Sequence, residues 1–230
     1  MLASLLSPPV AVEETWGYPV GIVLFPAEEA FIQNAVAKRR GEFARVRRCA
    51  VAALARLGHP PVSILPQERG EPGWPSGIVG SMTHCAGYAA AALAPADAVA
   101  GIGIDAEPND RLPDGVDHLV CLPEERAEIA RLSEQYPDLH WDRLIFSAKE
   151  AVYKTWFPLM RTWLDFEQTH VQIDPQECVF RAHLLIPGPV VDGRRYNHFV
   201  GRWAAADGLL VTAIVLYRRP GDDRHPTRGG

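Results

Sequence analysis

The sequence has no apolar run long enough to cross a bilayer, which takes about 20 residues. Its longest candidates, Tyr88 to Leu93 and Leu209 to Leu216, stop far short. Residues 1–12 are apolar but have no basic stretch ahead of them and no small-residue cleavage site, so a secretory signal is not expected and a cytoplasmic location is. The four cysteines, Cys49, Cys85, Cys121 and Cys178, form no C-x-x-C pair. That excludes thiolate metal sites and dithiol redox motifs, and it predicts reduced, buried thiols. Repeats and low-complexity segments are absent, and with them solenoid architectures. Positive charge is not in general excess, since the net charge of −5 argues against nucleic-acid binding.

What is present suits a globular enzyme-sized chain. The 230 residues, 47% hydrophobic and 22% charged, can bury the core of one large domain or two small ones. Charge is unevenly spread. Between Lys38 and Arg56 stand seven basic residues and one acid, Glu42. Such a patch calls for an anionic partner or a solvated helix face.

The pattern along the chain predicts a helix over residues 26–57, broken near Gly41 and closed by Gly58 and Pro60-Pro61. Phe43, Val46, Ala50, Leu54 and Leu57 form its apolar stripe. Residues 66–77 read as a Pro/Gly loop, followed by strands at 78–82, 88–93 and 99–105. Helical spacing returns at 123–135 and at 141–157, where Pro158 is expected to end the helix. Strands follow at 170–173, 179–186, 199–205 and 209–217, the last two joined across Ala206-Asp207-Gly208. From Arg218 the composition predicts a disordered tail, residues 218–230. Helix-then-strands occurs twice, so the fold class is α+β with two halves, residues 1–106 and 107–217. Trp74, Trp141 and Trp163 read as packing residues.

The densest chemistry lies in Gly101-Ile102-Gly103-Ile104-Asp105-Ala106-Glu107. Strand alternation puts Asp105 and Glu107 on one face, about 6–7 Å apart at Cα. Two carboxylates so placed repel each other unless a hard cation sits between them, and Mg²⁺ suits such oxygen ligands beside substrate phosphates. The bland alternative is a pair of solvated acids before the Pro108 turn. The glycines also fit the loose dinucleotide fingerprint, but that motif needs a helix opening at the glycines. Here a strand runs through them, so the fingerprint is rejected. Glu150 and Lys154, mid-helix, form an i, i+4 pair whose bland reading is helix stabilisation of about 0.2–0.5 kcal/mol.

Together these segments resemble the surfactin-type 4′-phosphopantetheinyl transferases, and among them the actinobacterial members. The resemblance rests on G-I-D-A-E at 103–107 and F-S-A-K-E-A-V-Y-K at 146–154. It is extended by S-M-T-H-C-A-G-Y at 81–88 and by K-R-R-G-E-F with R-V-R-R-C-A between Lys38 and Ala50. It implies two pseudo-symmetric α+β halves with the active site in the cleft between them. It implies transfer of the phosphopantetheine arm of coenzyme A to a serine of acyl or peptidyl carrier proteins, by a monomer without nucleic-acid or membrane partners. By resemblance Asp105, Glu107 and Glu150 hold Mg²⁺ (or Mn²⁺), and Glu150 takes the serine proton, directly or through water on the metal. Lys149 and Lys154 contact phosphates, while Arg39, Arg47, Thr83 and His84 meet the nucleotide and its 3′-phosphate. One departure stands out: Gly70-Glu71-Pro72 replaces the family's G-K-P, and Arg69 is the expected substitute for the lysine. On the residues alone, a Mg²⁺-dependent phosphohydrolase or nuclease and a coenzyme A-binding module without catalysis remain alternatives.

Overall fold

The computed structural model describes residues 1–17 and 21–218. The predicted tail therefore lies outside the described residues except for Arg218. That residue is fixed, donating from Nε to the Ala96 carbonyl and from Nη1 to Asp192.

The first half contains β1 (Ala11–Trp16), α1 (Pro26–Ile32), α2 (Ala37–Arg56), β2 (Ile78–Cys85) and β3 (Tyr88–Pro95). Its sheet has the order β1-β3-β2, antiparallel throughout. One face of β3, with Ala89, Ala91 and Leu93, packs against Cys49, Ala50, Ala53 and Leu54 of α2. The helix break falls at residues 33–36, not at Gly41. Gly41 lies inside α2 on an open face where a Cβ would touch nothing. There it costs only its weak helix propensity, roughly 1 kcal/mol against alanine. Strand β1 was not expected, because Glu13 and Glu14 mask its pattern. Their partners Arg56 and Tyr88 lie far away in sequence.

The second half contains β4 (Val99–Pro108), α3 (Val116–Val120), α4 (Pro123–Gln135), α5 (Trp141–Met160), β5 (Thr169–Asp174) and β6 (Val179–Leu184). A small hairpin, β7 (Val190–Val191) with β8 (Arg194–Arg195), precedes β9 (His198–Ala206) and β10 (Leu209–Tyr217). The main sheet runs β4-β10-β9-β6-β5. Asp207 and Gly208, both at positive φ, make the two-residue β9–β10 turn as expected. Helix α5 runs three residues past its predicted end. Pro158 removes a single backbone donor in the last turn, the buried Trp156 and Phe157 hold that turn down, and Arg161 in the left-handed region closes it.

The chain is thus α+β in two similar halves. Strand β4 pairs with β10 along its length, so the expected 106/107 division falls within a strand of the second sheet. Ile102, Ile104 and Ala106 turn one face of β4 toward Tyr88, Ala90 and Ala92 of the first half, while the other face meets α5. The free edge of β4 meets β2 through side chains. Ser81 Oγ accepts from the Ile104 amide at 3.2 Å and Thr83 Oγ1 from the Ala106 amide at 3.1 Å. The seam between the halves is a row of hydroxyls in place of a backbone ladder.

Candidate active site

Glycine decides how the site is assembled. Gly103 shares a face of β4 with Asp105, and a Cβ there would collide with the Ala151 carbonyl and the Thr155 side chain of α5. The G-x-G stretch is therefore a landing strip for a helix, and it draws α5 close enough for Lys154 to reach the strand. Lys154 Nζ donates to Asp105 Oδ1 at 2.7 Å and to the Ile104 carbonyl at 3.1 Å. Thr83 donates to the same carboxylate oxygen at 3.3 Å.

Asp105 is 4% exposed, and its second oxygen, Oδ2, is buried without a hydrogen-bond partner. An unpartnered carboxylate oxygen in a dry site is costly unless a cation faces it. Its neighbours report the same crowding. Burial, then the charge of Asp105, pushes the Glu107 carboxyl up to about 7, although Arg143 opposes the shift by donating to Glu107 Oε2 at 3.1 Å. Burial and then Asp105 also raise Glu150, with Lys154 opposing. Among the described residues no three His, Cys, Asp or Glu side chains form a ready-made metal cage. A hard ion that takes one or two carboxylates and completes its shell with phosphate and water does not require one. The donor set is all oxygen and Asp105 lies near enough for its charge to raise both Glu107 and Glu150, so the residues fit Mg²⁺.

On the first half, His84 sits on β2 with Nε2 3.5 Å from Arg39 Nη1. Burial keeps its imidazole below the usual range, helped by the charges of Arg39, Lys154 and Arg45 and opposed by Glu42. Gly87, with Ala86, supplies the positive φ of the β2–β3 turn, so that part of the motif is backbone geometry. Arg39 is exposed. Arg69 is exposed as well, and its charge is felt by Tyr153 one helical turn from Glu150.

Three expected contacts sit elsewhere. Lys149 is a correction: only 2% exposed, its ammonium donates to Glu125 Oε2 at 2.7 Å, to the Val120 carbonyl at 2.8 Å and to the Phe166 carbonyl at 2.9 Å. Three donors meet three acceptors, leaving none for phosphate. Arg47 is 8% exposed, lies over the Phe43 ring and donates to the Ile64 carbonyl, so it braces the first half from inside. Burial lowers its guanidinium only to about 10, and it stays charged. Thr83 is buried and spends its hydroxyl on Asp105 and the β4 edge.

The remaining expectations divide. Burial raises the thiols of Cys49 to about 11 and of Cys85 and Cys121 to about 12, which makes them inert, but Cys85 and Cys178 are only half-buried. Trp141 is buried and Trp74 packs in the first core, whereas Trp163 is 62% exposed, in tilted contact with the Tyr153 ring and bonded to Asp165. Sequence reasoning missed Arg143, which ties Glu107 to the Asp110 and Arg111 carbonyls. The signal was there: Arg143, Ser147, Glu150 and Lys154 step by four, three and four along one face of α5. It also missed that Glu71 pairs with Arg161 at 2.8 Å, joining the departing loop to the end of α5.

Comparison with known proteins is consistent along the chain. Residues 27–94 match the family described as 4′-phosphopantetheinyl transferase N-terminal domain, and residues 101–188 match the 4′-phosphopantetheinyl transferase superfamily. The chain is 54% identical to 4′-phosphopantetheinyl transferase Svp of Streptomyces mobaraensis, over 92% of this chain and 85% of that protein. It is 46% identical to PptT of Mycobacterium tuberculosis, over 90% and 92%, and 45% identical to Npt of Nocardia iowensis, over 94% and 99%. All three bear the same transferase name.

Proposed function

This chain belongs to the 4′-phosphopantetheinyl transferase family, and from that premise we propose that Asp105, Glu107, Glu150 and Lys154 are its reacting centre. The enzyme transfers the phosphopantetheine arm of coenzyme A to carrier proteins. A carrier serine oxygen bonds to the phosphorus bearing pantetheine, the pyrophosphate P–O bond breaks, and adenosine 3′,5′-bisphosphate leaves. The observation that carries the assignment is the unpartnered Asp105 Oδ2 among acids whose protons are held too tightly.

In this reading Asp105, Glu107 and Glu150 hold Mg²⁺, or Mn²⁺ in its place, which when bound neutralises the pyrophosphate and orients it. Glu150, with its raised affinity for protons, accepts the serine proton. Lys154, 28% exposed at its side chain, turns from Asp105 toward the phosphate oxygens where charge develops. Arg39 and His84 receive the nucleotide phosphates on the first half, and Arg69 approaches from the loop side. We read the enzyme as surfactin-type, monomeric and cytoplasmic, with the division near residue 106 marking the cleft. A single chain supplies every group named. No helix among the described residues is long and apolar enough to cross a membrane.

The test is transfer of label from coenzyme A to an apo-carrier serine with and without Mg²⁺, in wild type and Glu150→Gln. Metal-dependent transfer that collapses in the variant is expected. Equal transfer by the two proteins would remove Glu150 from the centre.

A further inference from the structure

The open face of the second sheet carries a row of three histidines. Strand register sets His170 directly opposite His183, and His183 directly opposite His198, across β5, β6 and β9. Their neighbours Val171, Phe180, Ala182, Leu184 and Phe199 point to the α5 core, so the three rings stand together on the opposite face, half-buried. The ring centroids are 6.3 Å apart for His170 and His183, and 5.9 Å for His183 and His198.

We propose that this ladder is a second metal site, for an imidazole-preferring transition dication such as Zn²⁺ or Cu²⁺, with His183 as the common ligand and one flanking histidine as its partner. Coordination at about 2.0–2.1 Å per nitrogen puts two ligating rings roughly 5–6 Å apart between centroids, close to the spacings already present. The planes lie 30° and 42° apart, and turning a ring toward a shared ion uses a terminal torsion with a broad energy well. The row is straight, so one ion takes the middle ring and one neighbour, with water completing the shell.

A second observation points the same way. His183 Nε2 lies 3.2 Å from Gln172 Oε1 on β5. With the amide oxygen accepting, the proton sits on Nε2 and the Nδ1 lone pair is left for an ion. This is the outer-shell partner that ligating histidines ordinarily have. Arg181 and Arg194 lie near enough for their charges to act on His198. Those arginines also repel a dication, so only a metal that gains from imidazole bonding will settle there. Mg²⁺, which prefers oxygen, will not. The ladder is thereby distinct in chemistry from the acidic centre on β4 and α5.

Calorimetry with Zn²⁺ in excess Mg²⁺, on the full-length enzyme, tests the site. One Zn²⁺ is expected to bind, with affinity falling at least ~30-fold in His183→Ala and about 10-fold in Gln172→Ala, the usual effect of losing an outer-shell partner. The Cu²⁺ electron paramagnetic resonance spectrum should show two nitrogen ligands in wild type and lose one in His183→Ala. Full transfer activity in His183→Ala shows that the variant is folded. Equal Zn²⁺ affinity in wild type and His183→Ala, or a Cu²⁺ spectrum that does not change, would overturn the proposal.

Discussion

Two lysines five residues apart on α5 live in opposite worlds. Lys149 faces Glu125 inside the second half, where every proton has an acceptor and every oxygen of the pair is used: Glu125 also accepts from the Leu122 and Val171 amides. Lys154 faces Asp105 at the seam, where one carboxylate oxygen has no partner and burial and the charge of Asp105 raise the carboxyls of Glu107 and Glu150. The first arrangement is closed and serves the fold. The second leaves a buried oxygen unpartnered, and in the function proposed above it serves chemistry. Sequence motifs treat both lysines alike, and only the count of partners separates them.

The comparison breaks most sharply at Lys149. Replacing it with alanine leaves Glu125 buried and unpaired, and such a loss costs about 3–5 kcal/mol. Denaturant titration of Lys149→Ala should show that drop in unfolding free energy, with Lys154→Ala losing much less. Equal losses would erase the distinction drawn here.

Asp105→Ala should do the reverse. It relieves crowding and leaves the fold near its original melting temperature, while transfer falls at least ~100-fold, since each 1.36 kcal/mol of lost transition-state stabilisation is a factor of ten. Near-normal turnover in this variant would displace the acids from the centre.

A smaller effect sharpens the picture of Glu107. Its folded pKa of about 7 lies above the 4.5 of an ordinary glutamate, so the folded protein binds that proton more tightly than the unfolded chain does. In metal-free protein this group's contribution to stability is therefore present at low pH and is lost as pH rises from about 4.5 through about 7. Arg143→Ala removes an opposing charge and should move that window upward. Thermal melting from pH 4.5 to 8, with and without Mg²⁺, measures it. A window that stays put in the variant would show that Arg143 does not govern Glu107.

The smallest effect belongs to the Glu71–Arg161 pair. With Arg161 59% exposed at its side chain, breaking the pair should cost only about 0.2–1 kcal/mol. A larger loss of stability in Arg161→Ala would mean that the loop is anchored far more firmly than an exposed ion pair allows.

Much of this was legible beforehand. Strand and helix periods placed α4 to the residue and β10 from end to end, and the two acidic motifs drew attention to Asp105, Glu107, Glu150 and Lys154, which the structure brings near one another at the seam. What escaped reading depended on partners distant in sequence. Lys149 looked like a phosphate ligand because nothing local announces that Val120, Glu125 and Phe166 close around it. Arg47 lay in a basic run whose charge suggested a ligand-facing surface, but its guanidinium lies over the Phe43 ring one helical turn back and donates to the Ile64 carbonyl seventeen residues on. The Gly41 break and the Pro158 stop failed for a gentler reason. A glycine cost of about 1 kcal/mol yields to packing of a long amphipathic stretch, and a proline in the last turn removes only a single helical donor.

The sealing of Lys149 also makes the chain nearly silent to amine chemistry. The sequence has three lysines, Lys38, Lys149 and Lys154, against a large excess of arginine. With Lys149 enclosed, the lysines open to an acylating reagent in the native enzyme are Lys38 on the surface of α2 and Lys154 at the seam. The ε-amine inventory of the folded protein is thus one bystander on α2 and one amine at the proposed centre, so modification at Lys154 is expected to fall when that centre is occupied, with no assay of turnover needed.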